Sequence, residues 1–103
     1  MIANILGQLK NGELSFKEVL AFIEDSYTHR PFAFKNGDQY NTANENQGSA
    51  RVFAFAKQQN LGKDDTLLLF AEHYKAVLDN PQGTDHQNIR QFMLHGWEGI
   101  VFE

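Results

Sequence analysis

The sequence predicts a mainly α-helical fold, a compact bundle of about five helices with a small element of two or three β strands. Apolar residues recur three and four positions apart in several segments, which is the spacing of one face of an α helix. Capping residues, glycines and prolines separate these segments. Two short aromatic and β-branched segments, residues 32–34 and 100–102, lie outside them. The 103 residues contain no visible linker, so we expect a single domain, residues 1–103.

The first two helices are predicted on either side of Asn11-Gly12, a pair that favours the left-handed end of a helix. The helix before this pair, residues 2–10, has one apolar face: Ile2, Ile5, Leu6 and Leu9. Ser15 and Glu18 have the spacing of a capping box, which opens the second helix. Its apolar face continues to Tyr27. Pro31 sets its limit, because the residue before a proline disfavours helical backbone.

A small hairpin is predicted over residues 32–40. The aromatic segment at its start is followed by Asn36-Gly37, a pair that tolerates the positive φ of a tight turn. The C-terminal residues 100–102 are β-prone, and we expect them to pair with residues 32–34. The polar residues 41–48 are predicted to be irregular.

Three more helices are predicted in the second half of the chain. The third starts near Ser49 as its N-cap and is interrupted by Gly62. The fourth covers about residues 63–78, and its apolar face is so wide that we expect a central helix packed on more than one side. The fifth opens at a second capping-box pattern, residues 84–87, and reaches about residue 95.

The composition argues against several classes of protein. The chain has 13 acidic and 9 basic residues, a net charge of −4 and no run of Lys or Arg, which argues against binding to nucleic acids or anionic membranes. The absence of cysteine excludes disulfides, thiolate metal sites and thiol catalysis. No apolar run reaches the ~20 residues of a membrane span, and no signal peptide is visible at the N-terminus. We therefore expect no membrane span and synthesis in the cytosol.

Two polar segments near the C-terminus predict a candidate pocket. A helical hairpin would bring residues 72–74 next to residues 85–95, and polar groups that converge on an apolar hollow suit a small molecule. The candidate residues are Glu72, His73, Tyr74, Asp85, His86, Asn88, Arg90, His95 and Trp97.

The histidines suggest two kinds of chemistry, and neither is favoured. No His-x-x-x-His pair is present, and on one regular helix His86 and His95 would point in opposite directions, so no metal site is predicted. Asp85 could orient His86 as a general base, but adjacent residues of a helix point about 100° apart. We favour the interpretation in which Asp85 offsets the positive end of the helix and His86 is partly covered beside Ile89 and Met93.

Trp97 and the loop before the third helix also have two interpretations each. Trp97, between Gly96 and Gly99, is interpreted as an anchor that closes the core, with an exposed contact residue as the alternative. The polar loop at residues 44–49 could hold an anion at a helix N-terminus, but helix capping is the preferred interpretation.

Four blocks of the sequence, in this order, carry a family resemblance: residues 31–37 (PFAFKNG), 44–49 (NENQGS), 70–74 (FAEHY) and 83–97 (GTDHQNIRQFMLHGW). They resemble the HopJ type III effector family, a set of small bacterial proteins, over roughly residues 15–102. The resemblance implies export through a type III secretion system and brings no biochemical activity with it.

The sequence leaves two functions open. The preferred one is a non-enzymatic interaction module with a protein partner, which the resemblance permits. The alternative is a small-molecule-binding domain or a hydrolase-like enzyme that uses the candidate pocket. No catalytic residue is assigned, and no cofactor is expected. The helical pattern of residues 2–10 differs from the polar, disordered export signal of an effector, so we expect a cytoplasmic protein, with secretion as the alternative implied by the resemblance.

Overall fold

A computed structural model describes residues 2–103 and confirms the mainly α-helical fold with a minor β element. Six α helices surround one hydrophobic core, and three short strands form a sheet beside it. In chain order the elements are α1 Ile2–Lys10, α2 Phe16–Ser26, β1 Phe34–Asn36, β2 Gln39–Asn41, α3 Gln47–Gln58, α4 Lys63–Leu68, α5 Glu72–Asp79, α6 Gln87–His95, a 3₁₀ turn Gly96–Gly99 and β3 Ile100–Phe102. Within residues 2–103, no helix has the length and apolar character needed to cross a bilayer.

The capping box at the start of α2 is confirmed. The Ser15 Oγ accepts the Glu18 backbone N–H at 3.2 Å, and the Glu18 Oε1 accepts the Ser15 backbone N–H at 3.0 Å. Two of the donors that a helix start leaves unpaired are thereby satisfied. The helix ends at Ser26, because Tyr27 already has extended backbone with φ −149°.

The three strands form an antiparallel sheet in the order β2-β1-β3. The predicted hairpin is confirmed, but its turn lies at Gly37-Asp38, one residue later than the expected Asn36-Gly37, and Gly37 has φ +58°. The predicted pairing of the C-terminal strand is also confirmed, although β1 begins at Phe34, two residues later than expected. In this register Phe34 lies opposite both Asn41 and Phe102.

Phe53 of α3 lies at the centre of the core. Its ring is 5.8 Å from that of Phe34, 5.4 Å from that of Phe70 and 5.0 Å from that of Phe92, measured between centroids. Tilted and edge-on aromatic pairs at such distances contribute about 0.5–1.5 kcal/mol each beyond the area they bury. The core therefore connects the sheet, α3, α6 and the turn that follows α4.

The prediction of one long fourth helix is wrong, because the backbone breaks at Ala71. Ala71 has φ +52° and ψ −125°, a conformation that a residue with a Cβ seldom adopts. The break lets Leu67, Leu69 and Phe70 all be buried, which one straight helix could not achieve with a single inner face. The wide apolar face in the sequence thus belongs to two helices and the turn between them, and not to a central helix.

The predicted starts of two other helices are also wrong. The third helix begins at Gln47, two residues before the expected N-cap, and Asn46 precedes it with φ +50° and no capping bond. The last helix begins at Gln87, after His86 with φ +51°. Instead of a capping box, the Gln87 Nε2 donates to the Thr84 carbonyl at 2.7 Å.

A buried cluster of side-chain amides connects the sheet to α6. Asn41 and Asn88 exchange two hydrogen bonds, of 3.1 and 3.0 Å, between their amide groups. The Asn36 Nδ2 donates to the Asn88 carbonyl at 2.8 Å, and the Asn46 Nδ2 donates to the Asn41 Oδ1 at 2.7 Å. Asn36 and Asn41 are fully buried and Asn88 nearly so, which makes the partners within this cluster costly to remove. We call these four residues the asparagine cluster.

We predict that Ala71→Gly raises the free energy of unfolding. Strained backbone costs about 1–3 kcal/mol, and the added freedom of glycine in the unfolded chain returns about 0.4–1 kcal/mol of that gain, so the net rise should be about 1 kcal/mol. Urea unfolding would measure it. Ala76→Gly, at an exposed position inside α5, is the matched control and should lower stability by about 0.5–1 kcal/mol. Equal losses in both variants would contradict strain at Ala71.

We predict that Asn41→Ala lowers the free energy of unfolding by about 2 kcal/mol, because it leaves the buried Asn88 Nδ2 without its acceptor and removes the bond from the exposed Asn46. Asn44→Ala, an exposed asparagine of the same segment, should change stability by less than about 0.5 kcal/mol. Chemical unfolding of the two variants side by side tests the difference. A loss below about 1 kcal/mol in Asn41→Ala would show that the asparagine cluster does not hold α6 to the sheet.

Candidate ligand-binding site

A cavity of about 370 Å³ opens where α2, α3, α5 and α6 all begin. We call it the histidine cleft. Its lining combines aromatic rings, two imidazoles and several uncharged polar groups: Phe16, Gln39, Asn46, Ser49, Phe70, His73, His86, Gln87, Asn88 and Ile89. None of these lining residues carries a carboxylate, an ammonium or a guanidinium group. The volume lies within the ~300–1,000 Å³ typical of small-molecule sites.

Two imidazoles form one wall of the histidine cleft. The His73 and His86 ring centroids are 5.1 Å apart, with 38° between the ring planes. Phe16 packs edge-on against His73 at 5.0 Å and stacks on Phe70 at 5.8 Å. Both histidines are half-buried, so each has one side in contact with protein and the other open to the cavity.

The backbone breaks described above are what bring these imidazoles together. The left-handed residue Ala71 ends the α4 segment, and His73 follows in the first turn of α5. His86 itself adopts the left-handed conformation, which histidine tolerates better than most residues. Regular helices through either position would direct the two side chains differently, so the cleft depends on both breaks.

Helix starts also surround the cleft. Asn46 and Ser49 come from the start of α3, His73 from that of α5, and Gln87 and Asn88 from that of α6. The first backbone N–H groups of a helix have no acceptor within it, and the helix dipole places partial positive charge there. The cleft therefore favours groups that accept hydrogen bonds.

The two carboxylates nearest the cleft are committed to other partners. The Glu72 Oε1 accepts the Phe16 backbone N–H at 2.7 Å, which holds the start of α2 against α5. The Asp85 Oδ1 accepts Arg90 Nη2 at 2.7 Å. Arg90, 11% exposed in its side chain, also donates to the Asn80 carbonyl at 3.0 Å. It thus ties residues 80–85 to α6 rather than facing the cavity.

Asp85 is paired as a carboxylate with Arg90 and does not orient His86. The hydrogen bond from Arg90 holds the pKa of Asp85 below its usual value, with a smaller contribution in the same direction from His86. The nearest imidazole and carboxylate atoms, His86 Nε2 and Asp85 Oδ2, are 3.9 Å apart, beyond hydrogen-bond length. The geometry of a base oriented by a carboxylate is therefore absent from this pair.

Three of the nine candidate residues line the cleft: His73, His86 and Asn88. Glu72, Asp85 and Arg90 lie beside it with their polar groups paired as described. The structure places the other three elsewhere. Tyr74 packs against the core from the far side of α5, and His95 lies with Gly37 and Glu98 at a separate depression.

Trp97 closes the core, as the preferred interpretation had it. Its indole N–H donates to the Leu61 carbonyl at 2.8 Å, and its ring lies 5.2 Å from that of Phe92 and 6.2 Å from that of Phe53. On its outer side the Lys57 Nζ stands 5.5 Å from the ring centroid.

The cleft also contains residues that the sequence did not single out as one site. Gln39, Asn46 and Ser49 line it, whereas the preferred interpretation of residues 44–49 was helix capping. That interpretation is wrong for Asn46, whose side chain donates to Asn41, and for Ser49, which lies inside α3. The sequence feature that could have identified these residues was the high density of side-chain amides between residues 36 and 46. Among residues 2–103, no group of three or more His, Asp or Glu side chains could hold a metal ion.

Comparison with known proteins identifies the family. The family model described as "HopJ type III effector protein" matches residues 2–103. The chain belongs to the HopJ family. A crystal structure titled as that of the unknown function protein VPA0580 is 44% identical, with a TM-score of 0.89 over 100% of this chain and 88% of that one. The HopJ resemblance of the sequence is thus confirmed and extends to the N-terminal helix. No curated protein matches the chain.

We predict that the ion pair of Asp85 stabilises this HopJ protein only above acidic pH. Because the folded pKa of Asp85 is lowered, its contribution is complete above the ordinary unfolded value of about 3.9 and is lost as the pH falls through the folded value. The difference in melting temperature between the wild type and Asp85→Asn should therefore shrink as the pH is lowered from about 5 to 2. Asp25→Asn, at an exposed aspartate, is the control and should follow the wild type throughout. A difference that stays constant with pH would contradict the pairing.

Proposed function

We propose that this chain is a small-molecule-binding protein whose histidine cleft takes a small organic acid or a similar anion. The observation that carries the proposal is the pair of imidazoles, 5.1 Å apart, in the wall of a cavity whose lining residues carry no carboxylate. An imidazole that gains a proton becomes a cation with two donors. Within residues 2–103, neither ring is hydrogen-bonded to a carboxylate, and Asp85, 3.9 Å from His86, is held by Arg90.

The rest of the cleft supports the same class of ligand. The starts of α3 and α6 supply partial positive charge, which suits the oxygens of an acid. The N–H groups of Phe16 and His73, at the starts of α2 and α5, are bonded to Glu72 and to the Phe70 carbonyl. The amides of Gln39, Asn46 and Asn88 can donate and accept, so they would orient hydroxyl or carbonyl groups on the same molecule. Phe16 and Phe70 offer an apolar surface for its carbon skeleton.

Binding is better supported than catalysis. The oriented carboxylate–imidazole pair that activates many histidine bases is absent at His86, because the Asp85 carboxylate lies 3.9 Å from its nitrogen and is held by Arg90. A hydrolase-like reaction that uses the same histidines is the alternative. The family description also favours a protein partner and export through a type III system, and an unpaired strand edge, described below, supports the first of these.

We predict that sulfate and succinate bind in the cleft and perturb the side-chain NMR signals of His73 and His86, while those of His29 and His95 stay in place.

Variants locate the effect. His73→Gln and His86→Gln should each weaken binding about tenfold or more, and His95→Gln, at the separate depression, is the matched control that should leave it unchanged. The proposal is wrong if all four histidines respond alike, or if neither anion shifts His73 and His86 at 50 mM. Catalysis instead of simple binding would appear as turnover of an ester or phosphoester that both cleft variants lose.

A further inference from the structure

The outer strand of the sheet, β3, has one unpaired edge. Two hydrogen bonds of 3.0 Å define its register, from the Glu103 N–H to the Ala33 carbonyl and from the Gly37 N–H to the Gly99 carbonyl. Between these pairs, Val101 lies opposite Lys35. Hydrogen-bonded pairs alternate along an antiparallel ladder, so the backbone groups of Val101 point towards β1.

It follows that the backbone groups of the two neighbouring residues point away from the sheet. The N–H and the carbonyl of Phe102 and the carbonyl of Ile100 face outwards, because β3 is the edge of the order β2-β1-β3. Proteins usually protect such edges by keeping them very short, or with lysine, proline or a bulge. The strand Ile100–Phe102 is short, with three residues, but it contains no lysine or proline, and Val101 and Phe102 are exposed.

A groove of about 580 Å³ lies at the Phe102–Glu103 end of β3, between that end, the end of α3 and the segment that follows α2. Its apolar part consists of the rings of Tyr27, Phe32 and Phe102 with Pro31 and Ala54. Phe32 packs edge-on against Phe102 at 5.4 Å. We call this surface the β3 groove.

Two cations line the β3 groove without an ionic partner. Arg30 and Lys57 are both exposed, and neither forms a salt bridge to a carboxylate of residues 2–103. Glu103 stands at the rim, but its Oε1 accepts a hydrogen bond from the Tyr40 hydroxyl at 3.2 Å. The two cations of the lining outnumber its one carboxylate, Glu103, so the groove has a net side-chain charge of +1 in a chain of net charge −4.

We propose that the β3 groove binds an extended peptide segment of a partner protein in which acidic and apolar side chains alternate. The segment adds to the sheet as a fourth strand, through hydrogen bonds to the outward-facing groups of Phe102 and Ile100. In an added strand, alternate side chains point to the same face. One face would place acidic side chains at Arg30 and Lys57, and the next apolar residue would be free to cover Val101.

In this mode of recognition, the backbone and the side chains have different roles. Main-chain hydrogen bonds supply affinity for any extended chain, and the pockets beside the edge select the sequence. Here the selecting groups are two cations, which favour an acidic segment over a basic one by electrostatic complementarity. The proposal does not involve the histidine cleft, so either surface can fail its test while the other stands.

The experiment compares two synthetic peptides by titration into ¹⁵N-labelled protein. Acetyl-Val-Glu-Val-Glu-Val-amide should shift the backbone amide signals of Ile100, Phe102 and Lys57 and leave those of His73 and His86 in place. It should bind at least tenfold more tightly than acetyl-Val-Lys-Val-Lys-Val-amide. Reversing both charges, Arg30→Glu with Lys57→Glu, should invert this preference. The matched control, Lys10→Glu with Lys17→Glu, reverses two exposed lysines of α1 and α2 and should preserve it.

Backbone methylation separates strand addition from mere charge attraction. N-methylation of alternate peptide residues blocks the N–H groups on one edge only, so one methylation pattern should abolish binding and the opposite pattern should leave it nearly unchanged. Equal effects of both patterns, equal affinity for both peptides, or no shift at β3 up to 2 mM peptide would each overturn the proposal. Circular dichroism of the charge-reversed protein verifies that it has kept its fold before its result is counted.

Discussion

The asparagine cluster is the constraint on which the rest of this structure depends. An amide buried away from water costs free energy unless its polar atoms find partners. Both amide atoms of Asn41 and of Asn88 are bonded, and the Asn36 Nδ2 donates to Asn88, whereas the Asn36 Oδ1 has no partner among residues 2–103. These bonds fix the hairpin against the start of α6 in one register. A shift of either element by one residue would leave several buried groups unpaired. The same bonds fix where α6 begins, and hence where His86 stands.

The periodic parts of this fold could be predicted from the sequence, and the irregular parts could not. The α2 capping box and the hairpin turn depend on neighbouring residues alone, and both are confirmed. The break at Ala71 is different, because alanine is the best helix former and nothing local requires a break there. It exists because burying Leu67, Leu69 and Phe70 together stabilises the fold by more than the strained residue costs. Only contacts distant in sequence decide that balance.

The candidate site also has one part that could be predicted from the sequence and one part that could not. Proximity of the segments around His73 and His86 could be inferred from a helical hairpin, and their imidazoles are indeed neighbours. The direction of each side chain could not be inferred, because His86 itself has left-handed backbone and does not lie in a regular helical turn. The carboxylates that the sequence suggested for the pocket are used elsewhere for a related reason. Glu72 and Asp85 stand near the cleft in sequence and in space, yet a backbone N–H and a guanidinium occupy them.

The hydrogen bond between the Phe16 N–H and the Glu72 carboxylate has a consequence for how the cleft comes into being. It joins residues 56 positions apart, so Phe16 reaches the cleft from the first third of the chain while His73 and His86 come from the last third. The lining spans residues 16 to 89, and no short fragment of the polypeptide contains the whole cavity. A molecule seated there would consequently stabilise the native state against global unfolding, in proportion to its concentration over its dissociation constant, and not merely stiffen one corner of the protein. A ligand bound in the cleft would thus slow the degradation of the entire chain by proteases that act on unfolded polypeptide.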